Sequence, residues 1–349
     1  MHLQKIQHEL QKNHLDAALF ILEETPIPSF TYITQIPSLT YASVLVKQTG
    51  KPILFVSSLD YAGIASTTLD IELLKKPLSE HLKAHLPKPK LLGIEFATTS
   101  FALIKKIKKM FPKTKLKDTT ELFEQVRAIK TPEEVNHLKK AASIANNAFN
   151  NTIKNFNFKT ESGVKTALEC EFLKYNVTAS FPTIIASGKN AATPHHKTST
   201  AKLSKGFCVI DFGVKYNGYC SDCTRTIYLG KPSKKEIQLY ALVKLAQQTA
   251  LDAVKAGIKA ADLDKLARTT LGAQERYFIH SLGHGIGVEV HESPSLSRKS
   301  METLRNGMVI TIEPGIYNKN IGIRIEDMVF VDKKPRILTN ITKELITIK

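Results

Sequence analysis

The sequence predicts a two-part protein, a small α/β layer unit followed by a larger α+β unit. Three observations predict it. Short apolar runs alternate with helical patterns over the first 111 residues, which is how layered α/β units read. Thr131-Pro132-Glu133-Glu134 carries the marks of a helix start: an N-cap threonine, proline at the first helical position and acid in the first turn. Residues 203–230 and 307–331 are strand-rich, and each has the layout of a hairpin.

In order along the chain, the first dozen residues carry a helical pattern. The runs LDAALFIL (15–22), YASVLVKQ (41–48), KPILFVSS (51–58) and PKLLGIEF (89–96) have strand length, and 100–111 is helical. No glycine-rich phosphate loop follows these strands. A boundary is expected between 118 and 132, giving an N-terminal unit over residues 1–124 and a C-terminal unit over 125–349. A long amphipathic helix follows Thr131. A second covers about 233–256 with Gly257 as its C-cap, and a third covers about 261–271.

The 349 residues are 42% hydrophobic, enough for a large core without staples. Four cysteines in such a length do not make a disulfide scaffold. Cys170 and Cys208 are expected in the core, and Cys220 and Cys223 as ordinary strand residues. No apolar run is long enough to span a bilayer, and the N-terminus lacks a signal core; a cytoplasmic enzyme is expected. The net charge is +17, which could mark nucleic-acid binding. The densest basic run, Lys105 to Lys117, alternates with Ile107 and Phe111 at helical spacing. It reads as the solvated face of an amphipathic helix. No nucleic-acid partner and no membrane partner are expected.

The chemistry sits in the second unit. Asp211 and Asp222 flank the turn Asn217-Gly218, the strongest short hairpin signal. Side chains alternate faces with period two, so an even loop puts both acids on one face. The same parity joins Glu313 and Glu326 across a loop near Asn318 to Asn320, with Arg324 on that face and Asp327 on the other. With His284 these form an oxygen-rich set with one imidazole, suited to two divalent metals of the manganese, iron, cobalt or zinc kind. Buried carboxylates repel one another unless cations sit among them. Taken singly, each residue has a bland reading: a turn aspartate, a loop glutamate, a hydrogen-bonded histidine. His280 and His284 have helical spacing, but flanking glycines argue against a helix. Cys220 and Cys223 have CxxC spacing, yet no second pair exists. His81 and His85 read as solvated.

The motifs DFGVKYNGYCSDCTRT, HSLGHGIGVEVHE, TIEPGIY and GIRIED resemble those of the pita-bread metallopeptidases, and most closely the proline-specific branch of aminopeptidase P and prolidase-like enzymes. The resemblance covers about residues 125–349. The first unit resembles, more weakly, the creatinase-like N-terminal domain of that branch. The resemblance implies a pita-bread catalytic domain holding two divalent ions, manganese foremost, with cobalt, zinc or iron as alternatives. It implies Asp211, Asp222, His284, Glu313 and Glu326 as metal ligands, Asp222 and Glu326 bridging. Glu313 would also shuttle protons, His195 would face substrate, His280 and His291 would flank the site with His291 steadying the tetrahedral intermediate, and Arg324 would orient the acidic cluster. The implied activity is hydrolysis of the Xaa-Pro bond at the N-terminus of short proline-containing peptides, aminopeptidase P-like. Xaa-Pro dipeptidase, methionine aminopeptidase and an inactive scaffold are the alternatives. A homodimer, with the first unit narrowing the entrance, is implied as well.

Overall fold

A computed structural model describes residues 2–23, 27–36, 39–64 and 68–349. The chain divides into two compact units, Met1–Arg127 and Ala128–Lys349.

The first unit is built on a six-stranded sheet. Its strand order is Asp70–Leu73, Ile53–Val56, Tyr41–Lys47, Ala17–Glu23, Leu91–Ile94, Lys115–Asp118. Ala17–Glu23 is central and mostly buried, which explains its near-continuous apolar run. It pairs antiparallel with Tyr41–Lys47 and parallel with Leu91–Ile94. The helix Phe101–Met110 is capped by Ser100, whose side chain accepts from the Leu103 amide. Leu103 and Ile107 face the core while Lys105, Lys106, Lys108 and Lys109 stay exposed. The basic run is thus the wet face of an amphipathic helix.

One expectation fails here. His81 and His85 are not simply solvated. They lie one turn apart on the helix Leu78–His85, and both bond the carboxylate of Glu72 on the neighbouring strand. Burial pushes the Glu72 carboxyl up, but the hydrogen bonds from His81 and His85 outweigh it and hold the group below the ordinary range.

In the second unit, the helix Pro132–Lys154 begins in a capping box: Thr131 accepts from the Glu134 amide, and Glu134 accepts from the Thr131 amide. It packs with Glu161–Leu173 on a four-stranded sheet ordered Thr347–Ile348, Cys223–Leu229, Gly206–Phe212, Ile184–Ser187. Ala145, Phe149, Leu168, Ile210 and Phe212 form the core between them. The helices Lys234–Ala253 and Ala260–Leu271 pack together over a second core that includes Val243, Leu263, Ile310 and Ile323. The five-stranded sheet there runs Glu292–Leu296, Gly283–Gly285, Val309–Ile312, Asp327–Phe330, Arg336–Ile337. The first of these helices ends at Val254, in an extended conformation. Gly257 is therefore not its cap but a turn residue beyond it, at φ +91. Cys170 is exposed rather than in the core, whereas Cys208, Cys220 and Cys223 are buried, and all four are free.

A buried ion pair fixes one edge of this unit. Lys130 Nζ lies 2.9 Å from Glu292 Oε2, with both side chains almost fully buried. The other oxygen of Glu292 accepts from the Val288 and Glu289 amides. Removing one partner of such a pair leaves a bare buried charge. Lys130→Met is expected to lower stability by about 3–5 kcal/mol, measured by denaturant unfolding. A loss within experimental error of zero would show that the pair carries no weight.

Candidate metal centre

Asp211 is the penultimate residue of Gly206–Phe212, and Asp222 immediately precedes Cys223–Leu229. Asp211 pairs with Thr224 across the ladder, so Asp222 lies diagonal to it on the same face. The two-residue turn Asn217-Gly218 joins the paired Tyr216 and Tyr219 and keeps this parity. In the second hairpin Asn318 pairs with Ile321 and Gly315 with Arg324. Ile312 pairs with Asp327. Glu313 and Glu326 therefore stand opposite one another, and Arg324 shares their face. Asp327 points the other way, into a buried network with Arg225, Thr339 and Gln247.

His284 lies on the short strand Gly283–Gly285. Glycine is required on both sides. A Cβ on Gly283 would sit 2.0 Å from the Thr311 carbonyl oxygen, and one on Gly285 would sit 2.2 Å from that of Ser293. This close approach brings His284 among the acids. Its Nδ1 donates to the Gly285 carbonyl at 3.0 Å, which leaves Nε2 with its lone pair free to bind a cation. Nε2 is 3.3 Å from Glu313 Oε1 and 3.7 Å from Asp222 Oδ2.

Ligand atoms of Asp222, His284 and Glu326 all lie within 4.8 Å of one another. Asp211 and Glu313 flank this group. Asp211 Oδ2 accepts from Arg324 Nη2 at 2.6 Å. Among the described residues, three buried carboxylate oxygens have no hydrogen-bond partner: Asp211 Oδ1, Asp222 Oδ1 and Glu326 Oε1. Buried polar atoms are ordinarily satisfied, and three bare oxygens at one place form a cradle for positive charge. Four carboxylates and a free imidazole nitrogen fit divalent cations with hard or borderline character.

The electrostatics agree. Burial, then the charges of Glu326 and Asp211, push the Asp222 carboxyl well up. Burial, then Glu313 and Asp211, do the same for Glu326. Burial also raises Asp211, against the pull of Arg324. Glu313 behaves oppositely. Burial would raise it, but the hydrogen bond and charges of His284 and His280 bring it down to about 2. His284 is correspondingly raised by Glu313, although burial alone would lower it. In the cation-free site Glu313 and His284 thus favour each other's charged forms, while burial and mutual repulsion favour the protonated forms of the other acids.

Arg324 organises the acids. Besides Asp211, its Nε donates to Thr224 Oγ1 at 2.9 Å and its Nη1 to the Tyr317 hydroxyl at 2.8 Å. Thr224 Oγ1 in turn donates to Glu326 Oε2 at 2.8 Å. Thr224 and Tyr317 were not singled out in the sequence. Thr224, two residues after Asp222 and so on its face, carried a usable signal; Tyr317 carried none. His280 is partly buried near Glu313, its Nδ1 3.9 Å from Glu313 Oε2, and desolvation lowers its pKa. The His291 ring meets that of His284 edge to face at 4.3 Å. His195 is exposed, next to Pro194, whose carbonyl is 3.5 Å from Arg324 Nη1. His196 turns away to bond the buried Glu161 at 2.8 Å.

A pH dependence follows. An acid whose folded pKa is raised contributes full stability below its unfolded value of about 4, and that contribution is lost as pH rises through the folded value. In metal-free protein, Glu326→Gln is therefore expected to be more stable than wild type, by about 1–3 kcal/mol, the margin growing from pH 5 to pH 8. Added divalent metal should reverse the order. Thermal unfolding checks this, and a margin that shrinks with rising pH contradicts it.

The pattern of the Creatinase/Prolidase N-terminal domain matches residues 2–129, and that of metallopeptidase family M24 matches residues 136–333. A protein named Xaa-Pro dipeptidase from Pyrococcus horikoshii is 36% identical over 99% of this chain and 98% of its own. The solved structure of an Xaa-Pro dipeptidase from Bacillus anthracis is similar at TM-score 0.91 and 31% identity, covering 99% of both chains. That of an X-Pro aminopeptidase from Thermotoga maritima is similar at TM-score 0.90 and 29% identity, covering 98% of this chain and 100% of that one. With a creatinase-type first unit and a pita-bread second unit around a cradle of acids, the chain is a member of metallopeptidase family M24.

Proposed function

We propose that this metallopeptidase hydrolyses the Xaa-Pro bond of short peptides, with Asp211, Asp222, His284, Glu313 and Glu326 as its metal ligands. The observation that carries the reading is the convergence of those side chains with three unpartnered carboxylate oxygens. The substrate reading draws on relatives named Xaa-Pro dipeptidase that match nearly end to end. They favour dipeptides over the aminopeptidase P-like preference expected from the sequence. The T. maritima X-Pro aminopeptidase, equally similar in fold, keeps longer peptides as the second reading.

Two divalent ions, when bound, would supply Lewis acidity and a lowered water pKa at the scissile carbonyl. The chain's own groups do the rest. Glu313 would take a proton from the attacking water and pass it to the leaving imino nitrogen of proline. Its two histidine neighbours hold it in the charged form. His291, beside His284, would donate a hydrogen bond to the developing oxyanion. His195 and His280 would line the substrate side. Arg324 holds Asp211 and Tyr317 and, through Thr224, Glu326. A tertiary Xaa-Pro amide lacks an N–H and bends the chain, so it needs a site of its own.

In this reading manganese is the working ion, consistent with an oxygen-rich set bearing one imidazole. The enzyme is a cytoplasmic homodimer. Its four free cysteines fit a reducing compartment, and no helix of the described residues is long and apolar enough to cross a membrane.

With manganese present, the expected outcome is release of Xaa from Xaa-Pro, slower release from Xaa-Pro-Yaa and none from Ala-Ala. Glu313→Gln should lower kcat about 10²–10⁴-fold. Faster turnover of the tripeptides would move the assignment to an aminopeptidase. No turnover of either class at full metal loading would end it.

A further inference from the structure

His280 is held by a buried ion pair that lies outside the site. Asp264 and Arg268 are one turn apart on the helix Ala260–Leu271, and both are buried. Arg268 Nε donates to Asp264 Oδ2 at 2.6 Å. The remaining fork reaches into the segment that bears His280. Arg268 Nη1 donates to the Phe278 carbonyl at 2.7 Å, and Nη2 to the His280 carbonyl at 2.6 Å. Asp264 Oδ1 accepts from the Leu282 amide at 3.1 Å. The Arg268 guanidinium also lies 4.1 Å from the centre of the Phe278 ring, which meets the His280 ring edge-on at 4.9 Å.

One buried pair thus grips residues 278, 280 and 282, alternate positions of an irregular segment whose Leu282 amide also donates to the Leu296 carbonyl at 2.8 Å. The His280 ring is held at its far end as well. Its Nδ1 donates to the Ser281 carbonyl at 2.8 Å, and its Nε2 takes the Tyr317 hydroxyl at 3.1 Å. The Leu282 carbonyl accepts from the Glu313 amide at 2.8 Å, so the grip extends to the strand that carries the base. Only an arginine can serve this arrangement. Its planar fork meets one carboxylate and two carbonyls at once, which a lysine ammonium on a flexible stem does not reproduce.

We propose that Arg268 and Asp264 are positioning residues, which fix His280 and the start of the His284 strand at the geometry the reaction needs. The proposal rests on the reading of His280 as a substrate-side residue of a peptidase site. Misplacing such a group by about 1 Å can cost on the order of 100-fold in rate.

Arg268→Lys, which keeps the charge, and Asp264→Asn, which keeps the shape, test it in the full-length, metal-loaded protein. Each is expected to lower kcat/KM for an Xaa-Pro dipeptide about 10–100-fold with the bound metal unchanged. In a His280→Ala background the same changes should cost little more. Separately, metal-free protein labelled at histidine Cε1 should show the His280 NMR resonance displaced in Arg268→Lys, with the His196 resonance unmoved. Wild-type kcat/KM in both variants with an unmoved His280 resonance would overturn the proposal. So would losses that add in full to that of His280→Ala, the mark of a merely structural pair. If wild type cleaves no Xaa-Pro peptide, the peptidase reading fails by itself, and the resonance arm alone decides whether the pair positions His280.

Discussion

Four carboxylates are pressed into one buried place, and one guanidinium cannot balance them. Asp211, Asp222, Glu313 and Glu326 crowd around His284, which lies beside Asp222 and Glu313, while Arg324 bonds Asp211. Isolated buried charge is expensive in a protein interior. The pile-up persists because the fold around it is over-determined and because the arrangement is completed by cations. The raised acids and the unpartnered oxygens are two expressions of the same deficit of positive charge.

The surroundings are built to hold that deficit in shape. Each hairpin carries its acids on one face by strand parity alone. Arg324 and Thr224 tie the two hairpins together, and the Arg225–Asp327 pair fixes the opposite face of the Glu326 segment through the Glu326 carbonyl at 2.5 Å and the Ile341 carbonyl at 2.9 Å. The segments that carry histidines have less regular structure of their own, and buried ion pairs brace two of them: Asp264–Arg268 behind His280, and Lys130–Glu292 next to His291. Burying ions merely for stability gains little. Here each pair also bonds backbone groups that no sheet or helix satisfies.

Much of this was legible because the informative signals are local. Asn217-Gly218 sets an even loop, period-two alternation then puts Asp211 and Asp222 on one face, and the same rule serves Glu313 and Glu326. Thr131 and Pro132 announce the long helix by capping chemistry confined to four residues. What escaped is non-local. Thr224 matters through Arg324 and Glu326, each about a hundred residues away. Arg268 and Asp264 look like an ordinary salt-bridged turn of an amphipathic helix until the 278–282 segment is seen beside them. His81 and His85 read as wet because their partner, Glu72, lies on a short strand with little apolar signal. Gly257 looked like a cap because glycine marks helix ends and the turns after them equally well.

Crowding favours the protonated forms of Asp222 and Glu326, and bound cations would displace those protons. The most direct measurement is calorimetric titration of metal-free protein with manganese near pH 7, in two buffers of different ionisation enthalpy. The expected result is about two ions bound per chain, with protons released on binding, seen as a heat that differs between the buffers. Saturable binding with identical heats in both would contradict the claim, and so would a folded protein that takes up no ion.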